Sequence, residues 1–285
     1  MATKKTTTAD AEISIVTLDE GEITFCILGT SPLIQNRMTE KAKQELLMPK
    51  KKTAAERAGN LKHDPIAEYR SSPYRMQNPD APTALALLPT MFKQAMGTAA
   101  LRTPGAKKTE VQQLVRVDWD RIPVWGVPQI FSAVTRSADM NKTPDVRTRA
   151  ILREWACFLR VSFLRPILNE TTIANLLAAA GRISGVGDWR QEKGSGSFGA
   201  FTLVDADHKD FKRICANGGR AAQEAALANP LPYDDETSEL MAWFTAEAKA
   251  RGHKPTDADE GDDSLQGITP LPGRKGKTNG SGLHA

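Results

Sequence analysis

Between Gly181 and Gly199 the chain places six glycines, Gly181, Gly185, Gly187, Gly194, Gly196 and Gly199, between a segment of helical spacing and one of strand alternation. Glycine weakens the interior of helices and strands alike, so neither element can run through such a stretch and a shaped loop must join them. Gly181 is predicted to end the preceding helix in a left-handed conformation. The other glycines let a phosphate approach peptide N–H groups with no Cβ in the way. Arg182, Arg190 and Lys193 supply charged donors to phosphate, and Trp189 a surface on which a base can stack. The same residues also describe a long glycine-rich hairpin whose Trp189 and Phe198 pack into the core, and the sequence leaves both readings open. A nucleotide-binding P-loop is disfavoured: no Gly-Lys-Ser/Thr closes a four-residue spacer, and the loop follows a helix and precedes a strand, the reverse of that motif.

The flanking pattern predicts an α+β fold. Glu22–Leu28 is apolar and partly β-branched and reads as a buried strand, punctuated by Gly29 and Pro32. Thr39 is placed to cap a helix through Leu47, and Lys50–Asp64 reads as an exposed insertion with some helix. Pro89 suits the first turn of a helix through Leu101, with Phe92, Ala95, Met96 and Ala99 on one face. Gln113–Val117 reads as a strand, followed by short extended pieces from Pro123 to Ile130. The stretch holding Arg136, Arg147, Arg149 and Arg153 reads as a long loop. Glu154–Phe163 alternates as a strand, Asn169 caps a helix over Glu170–Ala180, and Phe198–Val204 is the strand after the glycine loop. Helices are expected over His208–Ala228, broken at Gly218-Gly219, and over Glu236–Arg251.

Strand, helix, glycine loop and strand form a split βαβ half, and the first half supplies strand, helix and strand as well. Two such halves predict a ferredoxin-like antiparallel sheet with helices on one face. The expected organisation is a flexible arm at 1–10, an α+β domain at 11–205 with a helical insertion at about 38–82, C-terminal helices at 206–252 and a disordered tail at 253–285.

Charge is uneven along the chain. The net is +4, but residues 234–263 hold ten acidic side chains against three basic ones and residues 264–285 add three basic ones, which leaves residues 1–233 at +8. A basic body suits a polyanion partner. Arg147 and Arg149, with Arg136, Lys142, Arg153 and Arg160 around them, form a second polyanion candidate beside the glycine loop. Three dispersed cysteines, Cys26, Cys157 and Cys215, read as core thiols of a reducing compartment. No apolar run reaches the roughly 18 residues that span a bilayer, so a cytoplasmic protein without membrane attachment is expected. His63, His208, His253 and His284 have no partner at triad or ligand spacing and are expected to be exposed. No carboxylate cluster suggests a two-metal nuclease, and Asp188 is the best single carboxylate, read as a salt-bridge partner of Arg190. Neither an enzyme nor a cofactor or metal site is expected.

Gly185-Val-Gly-Asp-Trp-Arg190 and Ser197-Phe-Gly-Ala-Phe201, supported by Ile27-Leu-Gly-Thr-Ser-Pro-Leu33, resemble the RAMP superfamily, which supplies the crRNA-binding backbone subunits and processing nucleases of CRISPR systems. Ser31-Pro-Leu-Ile34 and Glu40-Lys-Ala-Lys43, with the same glycine loop, also resemble proteins of bacteriophages. The resemblance covers residues 20–205, and it implies binding of single-stranded RNA along a groove, often by a homo-oligomer whose copies stack side by side on the strand; for this chain the partner is expected to be single-stranded RNA or DNA. The residues it carries over are Gly185, Gly187, Trp189, Arg190, Gly196 and Gly199.

Overall fold

The computed structural model describes residues 17–38, 63–136, 144–193 and 196–252, with Lys43 and Leu47 as isolated positions. The expected helix from Thr39, most of the insertion that follows it, and both terminal arms lie outside the described residues.

An antiparallel seven-stranded sheet organises the rest. Its strands are β1 (Asp19–Gly29), β3 (Tyr74–Arg75), β4 (Leu85–Leu87), β5 (Val115–Val117), β6 (Ile122–Trp125), β9 (Ala156–Arg165) and β10 (Phe201–Val204). Their order is β10-β1-β9-β6-β4-β3, with β5 also pairing with β9. The longest ladder joins β1 to β9, from Asp19 opposite Arg165 to Leu28 opposite Ala156. Period-two alternation decides what each strand shows to either face. Phe25 and Ile27 of β1, with Cys157, Leu159, Val161 and Phe163 of β9, point into the main core. Glu22, Thr24, Arg160 and Ser162 alternate to the other side.

Helices α2 (Pro89–Ala100) and α4 (Glu170–Ile183) cover the core face, through Phe92, Met96 and Ala99 from one and Ile173, Leu177 and Ala180 from the other. Both starts were legible. Pro89 stands in the first turn of α2, and the Asn169 side chain accepts the Thr172 N–H at 2.8 Å at the head of α4. On the opposite face α5 (Lys209–Asn217) packs Phe211 and Ile214 over Cys26, Leu28, Phe158 and Val204, so one end of that face is covered and the rest is open.

A smaller sheet, β2-β8-β7, is made of β2 (Leu33–Ile34), β7 (Pro128–Arg136) and β8 (Pro144–Leu152). It corrects the expected long loop, because Arg147 and Arg149 lie on a regular hairpin strand opposite Ala133 and Phe131. Helix α1 (Pro65–Ser71), capped by the Asp64 carboxylate, lies against this hairpin and buries Tyr69, whose hydroxyl donates to the Pro128 carbonyl at 3.2 Å and the Ala226 carbonyl at 3.0 Å. A second correction concerns Gln113–Leu114, which close helix α3 (Lys108–Leu114); only Val115–Val117 of the expected strand pairs.

The C-terminal helices are keyed into this framework. Gln223 of α6 (Arg220–Ala228) is fully buried, accepts the Ala84 and Leu85 N–H groups and donates to the carbonyls of Val124, Gly126 and Gly218. A buried amide is stable only when its polar atoms are paired in this way. Helix α7 (Asp235–Ala250) sets Thr237 against β7, where its hydroxyl accepts the Ser132 N–H at 3.2 Å. Among the described residues the protein is therefore α+β with seven helices, and no helix is long and apolar enough to cross a membrane.

Candidate nucleic-acid interface

The glycine loop leaves α4 three residues later than expected. Gly181 lies inside the helix, where it lets the backbone close on the Phe201 carbonyl, and the left-handed residue is Gly185 at φ +70°, whose N–H returns to the Ala180 carbonyl at 2.9 Å. From there the loop folds onto itself and onto β2. Asp188 donates its N–H to the Ile34 carbonyl at 2.9 Å, Val186 donates to Gly199 at 2.9 Å, and Gly199 donates to Pro32 at 2.8 Å. A Cβ at Gly199, which sits at φ +72°, would overlap the Val186 carbonyl oxygen. Gly187 stands at φ +84° against Ile34, and Gly196 presses on the Trp189 carbonyl. These glycines thus serve close packing of the loop, and the N–H groups of Gly185, Val186, Asp188, Phe198 and Gly199 are already taken by protein carbonyls.

The loop's side chains meet the hairpin that the sequence kept apart from them. Trp189, half-buried at φ +47°, stands edge-on to Phe131 of β7 with ring centroids 5.8 Å apart and tilts against Phe198 at 6.2 Å. This is the packed hairpin that the residues left open, and Trp189 is only partly accessible. Asp188 pairs with Arg149 of β8 at 3.6 Å rather than with Arg190. Arg190 instead pairs with Glu192 at 3.0 Å and donates to the Gly187 carbonyl at 3.0 Å. Burial alone would raise the Glu192 carboxyl, but hydrogen bonds from Arg190, Ser184 and Thr98 outweigh it and hold it below the usual carboxylate range. Burial lowers the Arg149 guanidinium, and the neighbouring Arg147 adds to that effect while Asp188 opposes it.

Arg147, Arg149, Asp188, Trp189, Phe131 and Ile34 surround one small cleft. Arg147 is exposed at its edge, and Arg182 is exposed on the last turn of α4; neither forms an ion pair among the described residues. Lys193 closes a short 3-10 turn over Gln191–Lys193, and its side chain lies outside the described residues.

Sequence spacing missed one group. His63, expected to be exposed, donates or accepts at both ring nitrogens, to Glu68 of α1 at 2.7 Å and to Asp145 of β8 at 2.9 Å. The Glu68 hydrogen bond raises its pKa, burial lowers it, and the two carboxylate charges raise it further, for a net upward shift. Glu68 also accepts the Thr148 N–H at 3.2 Å, so the imidazole ties α1 to the strand carrying Arg147 and Arg149. Eighty-two residues separate His63 from Asp145, and no local motif announces such a contact. Among the described residues no group of three or more His, Cys, Asp or Glu side chains is arranged to hold a metal ion.

No protein-family model matches the chain, and no curated protein matches its sequence.

Proposed function

We propose that the protein binds single-stranded nucleic acid, without a cofactor, across the surface formed by the glycine loop and strand β8. The observation that carries this reading is the meeting of two segments some forty residues apart: Arg147 and Arg149 of the hairpin stand against Asp188 and Trp189 of the loop. Exposed Arg147 and Arg182 offer charge to phosphate, and the accessible part of Trp189 offers a stacking surface. Arg149 and Arg190 are engaged with carboxylates, so they hold Asp188 and the loop in place, and their contribution is positional. The glycines shape the loop. Phosphate contact then falls to the side chains rather than to a backbone cradle.

The fold reading that accompanies it is ferredoxin-like. The order β10-β1-β9-β6, with α2 and α4 on one face, matches a βαββαβ chain whose fourth, first, third and second strands stand side by side. It is the arrangement expected of a RAMP-like domain, here with the β7–β8 hairpin and the C-terminal helices added. Assembly along the strand is part of the proposal. Helix α7 exposes Trp243 with Glu236 and Glu239 on the same stripe, opposite in charge to the Arg147 and Arg182 surface, as a head-to-tail contact between copies requires.

Gel shift of the full chain against oligouridylate and oligodeoxythymidylate over a salt series tests this directly. Affinity is expected to fall steeply with salt, and Arg147→Ala with Arg182→Ala to flatten the slope by about 0.7 per arginine removed. An unchanged slope in that double variant, with the fold intact, overturns the assignment.

A further inference from the structure

The open end of the sheet carries a second feature that the glycine loop does not explain. Strands β5 and β6 both pair with β9, Val117 opposite Val161 and Val124 opposite Cys157. Between them six residues of one edge face only three of β9; Asp118 still donates its N–H to the Arg160 carbonyl at 3.0 Å, and Trp119–Arg121 is thrown out of the ladder. At its tip Trp119 takes φ +72°, a left-handed conformation that costs a bulky residue about 1–2 kcal/mol, and its side chain is 42% exposed. Strain of this kind persists only where surrounding contacts enforce it, and it gathers at ligand sites.

Those contacts are visible. The Asp118 carboxylate, only 10% exposed, accepts from Ser162 at 2.6 Å and from Arg116 at 3.0 Å and lies 3.5 Å from Arg160. Arg160 in turn places its guanidinium 5.8 Å from the Trp119 ring centroid, backing the indole. In front of the ring lies a groove of about 810 Å³ between this excursion and the Met76–Pro82 segment. That volume suits a nucleoside or a short nucleotide. Its polar lining includes Asn78, Asp80 and Asp120, and neither of these aspartates forms an ion pair among the described residues. Arg121 lies over the Tyr74 ring at 5.6 Å, and Arg116 is committed to Glu20 and Asp118.

An indole face, two uncommitted carboxylates and few uncommitted cations disfavour phosphate and favour a planar ligand with N–H donors along one edge. Guanine meets this best, because its N1–H and N2–H₂ present adjacent donors that one carboxylate accepts together, whereas uracil offers a single N–H. We propose that the groove before Trp119 is a guanine-reading subsite, in which the base stacks on Trp119 and its donor edge is received by Asp120 or Asp80. The proposal rests on the nucleic-acid reading for its biological context, and it adds base recognition at a place remote in sequence from the phosphate-binding arginines.

Isothermal titration of the full chain with guanosine, guanosine 5′-monophosphate and uridine, each at low and high salt, tests it. Guanosine and its monophosphate are expected to bind alike and with little salt dependence, at least tenfold tighter than uridine. Trp119→Gly removes the ring at a position whose backbone glycine tolerates, so guanosine binding should drop at least tenfold with no loss of melting temperature. Trp119→Phe should retain most binding, and Asp80→Asn with Asp120→Asn should erase the preference for guanosine over uridine. Equal binding of guanosine and uridine, unaltered guanosine binding in folded Trp119→Gly, or no guanosine binding at millimolar concentration overturns the subsite. Oligouridylate binding without guanosine binding overturns this inference and leaves the glycine-loop reading standing. Guanosine binding without oligonucleotide binding supports the subsite and overturns the other reading.

Discussion

Trp119 and Trp189 repeat one local device and put it to different uses. Each follows an aspartate, each has a positive φ, +72° and +47°, and in each case an arginine from another strand holds the aspartate: Arg160 for Asp118, joined by Arg116 two residues before it, and Arg149 for Asp188. The difference lies in what the adjacent strand offers the ring. At Trp189 it offers Phe131, and the indole closes an aromatic cluster between the small sheet and the loop. At Trp119 it offers Arg160, whose cation supports one side of the ring and leaves the indole facing an open groove. A left-handed tryptophan therefore does not by itself mean display or packing; the neighbouring side chain decides which.

Four substitutions test how far this contrast holds. Gly199→Ala should have the largest effect, because the added Cβ meets the Val186 carbonyl at a positive φ; a loss of about 3 kcal/mol in urea unfolding is expected. Trp189→Ala should cost about 2 kcal/mol by the same measurement, since it empties a half-buried aromatic contact with Phe131 and Phe198. His63→Gln probes the frame on the Trp189 side only. Because the folded pKa is raised, the stabilisation from His63 is fully present below its unfolded value of about 6.5 and disappears as pH rises through the folded value. The variant should thus be less stable than the parent near pH 6, by under about 1 kcal/mol for a partly solvated group, and converge with it at alkaline pH. Trp119→Gly should have the smallest effect on stability, between no change and a gain of about 1 kcal/mol, as left-handed strain is released. A loss at Trp119→Gly as large as that at Trp189→Ala would make both rings structural and erase the distinction.

Much of the framework is legible in the sequence. The Asn169 cap, Pro89 in the first turn of α2, the alternation through Glu154–Phe163 and the break at Gly218-Gly219 all stand where local chemistry puts them. The hairpin strand Pro144–Leu152 was missed although its signal is present: Val146, Thr148 and Ala150 alternate with Asp145, Arg147 and Arg149. The alternation is hidden because the outward positions are charged and the inward ones small, so no apolar run marks it. The glycine loop stands between the expected helix and strand, but both bounds move: the helix runs two residues past Gly181, since Gly181 serves a close approach to Phe201 and not a helix end, and the strand starts at Phe201 rather than Phe198.

The sequence by itself determined the main helices and the long strands of the larger sheet with their apolar faces, because caps, prolines and period-two alternation act within a few residues. Only the tertiary structure decided that Asp188 belongs to Arg149, that His63 stands between Glu68 and Asp145, and that Trp119–Arg121 leaves its ladder at the edge of a groove. Those pairings depend on strand order and register. Two strands of the same alternation can sit beside any of several partners, and the choice is made by the packing of the whole core, not by the residues of either strand alone.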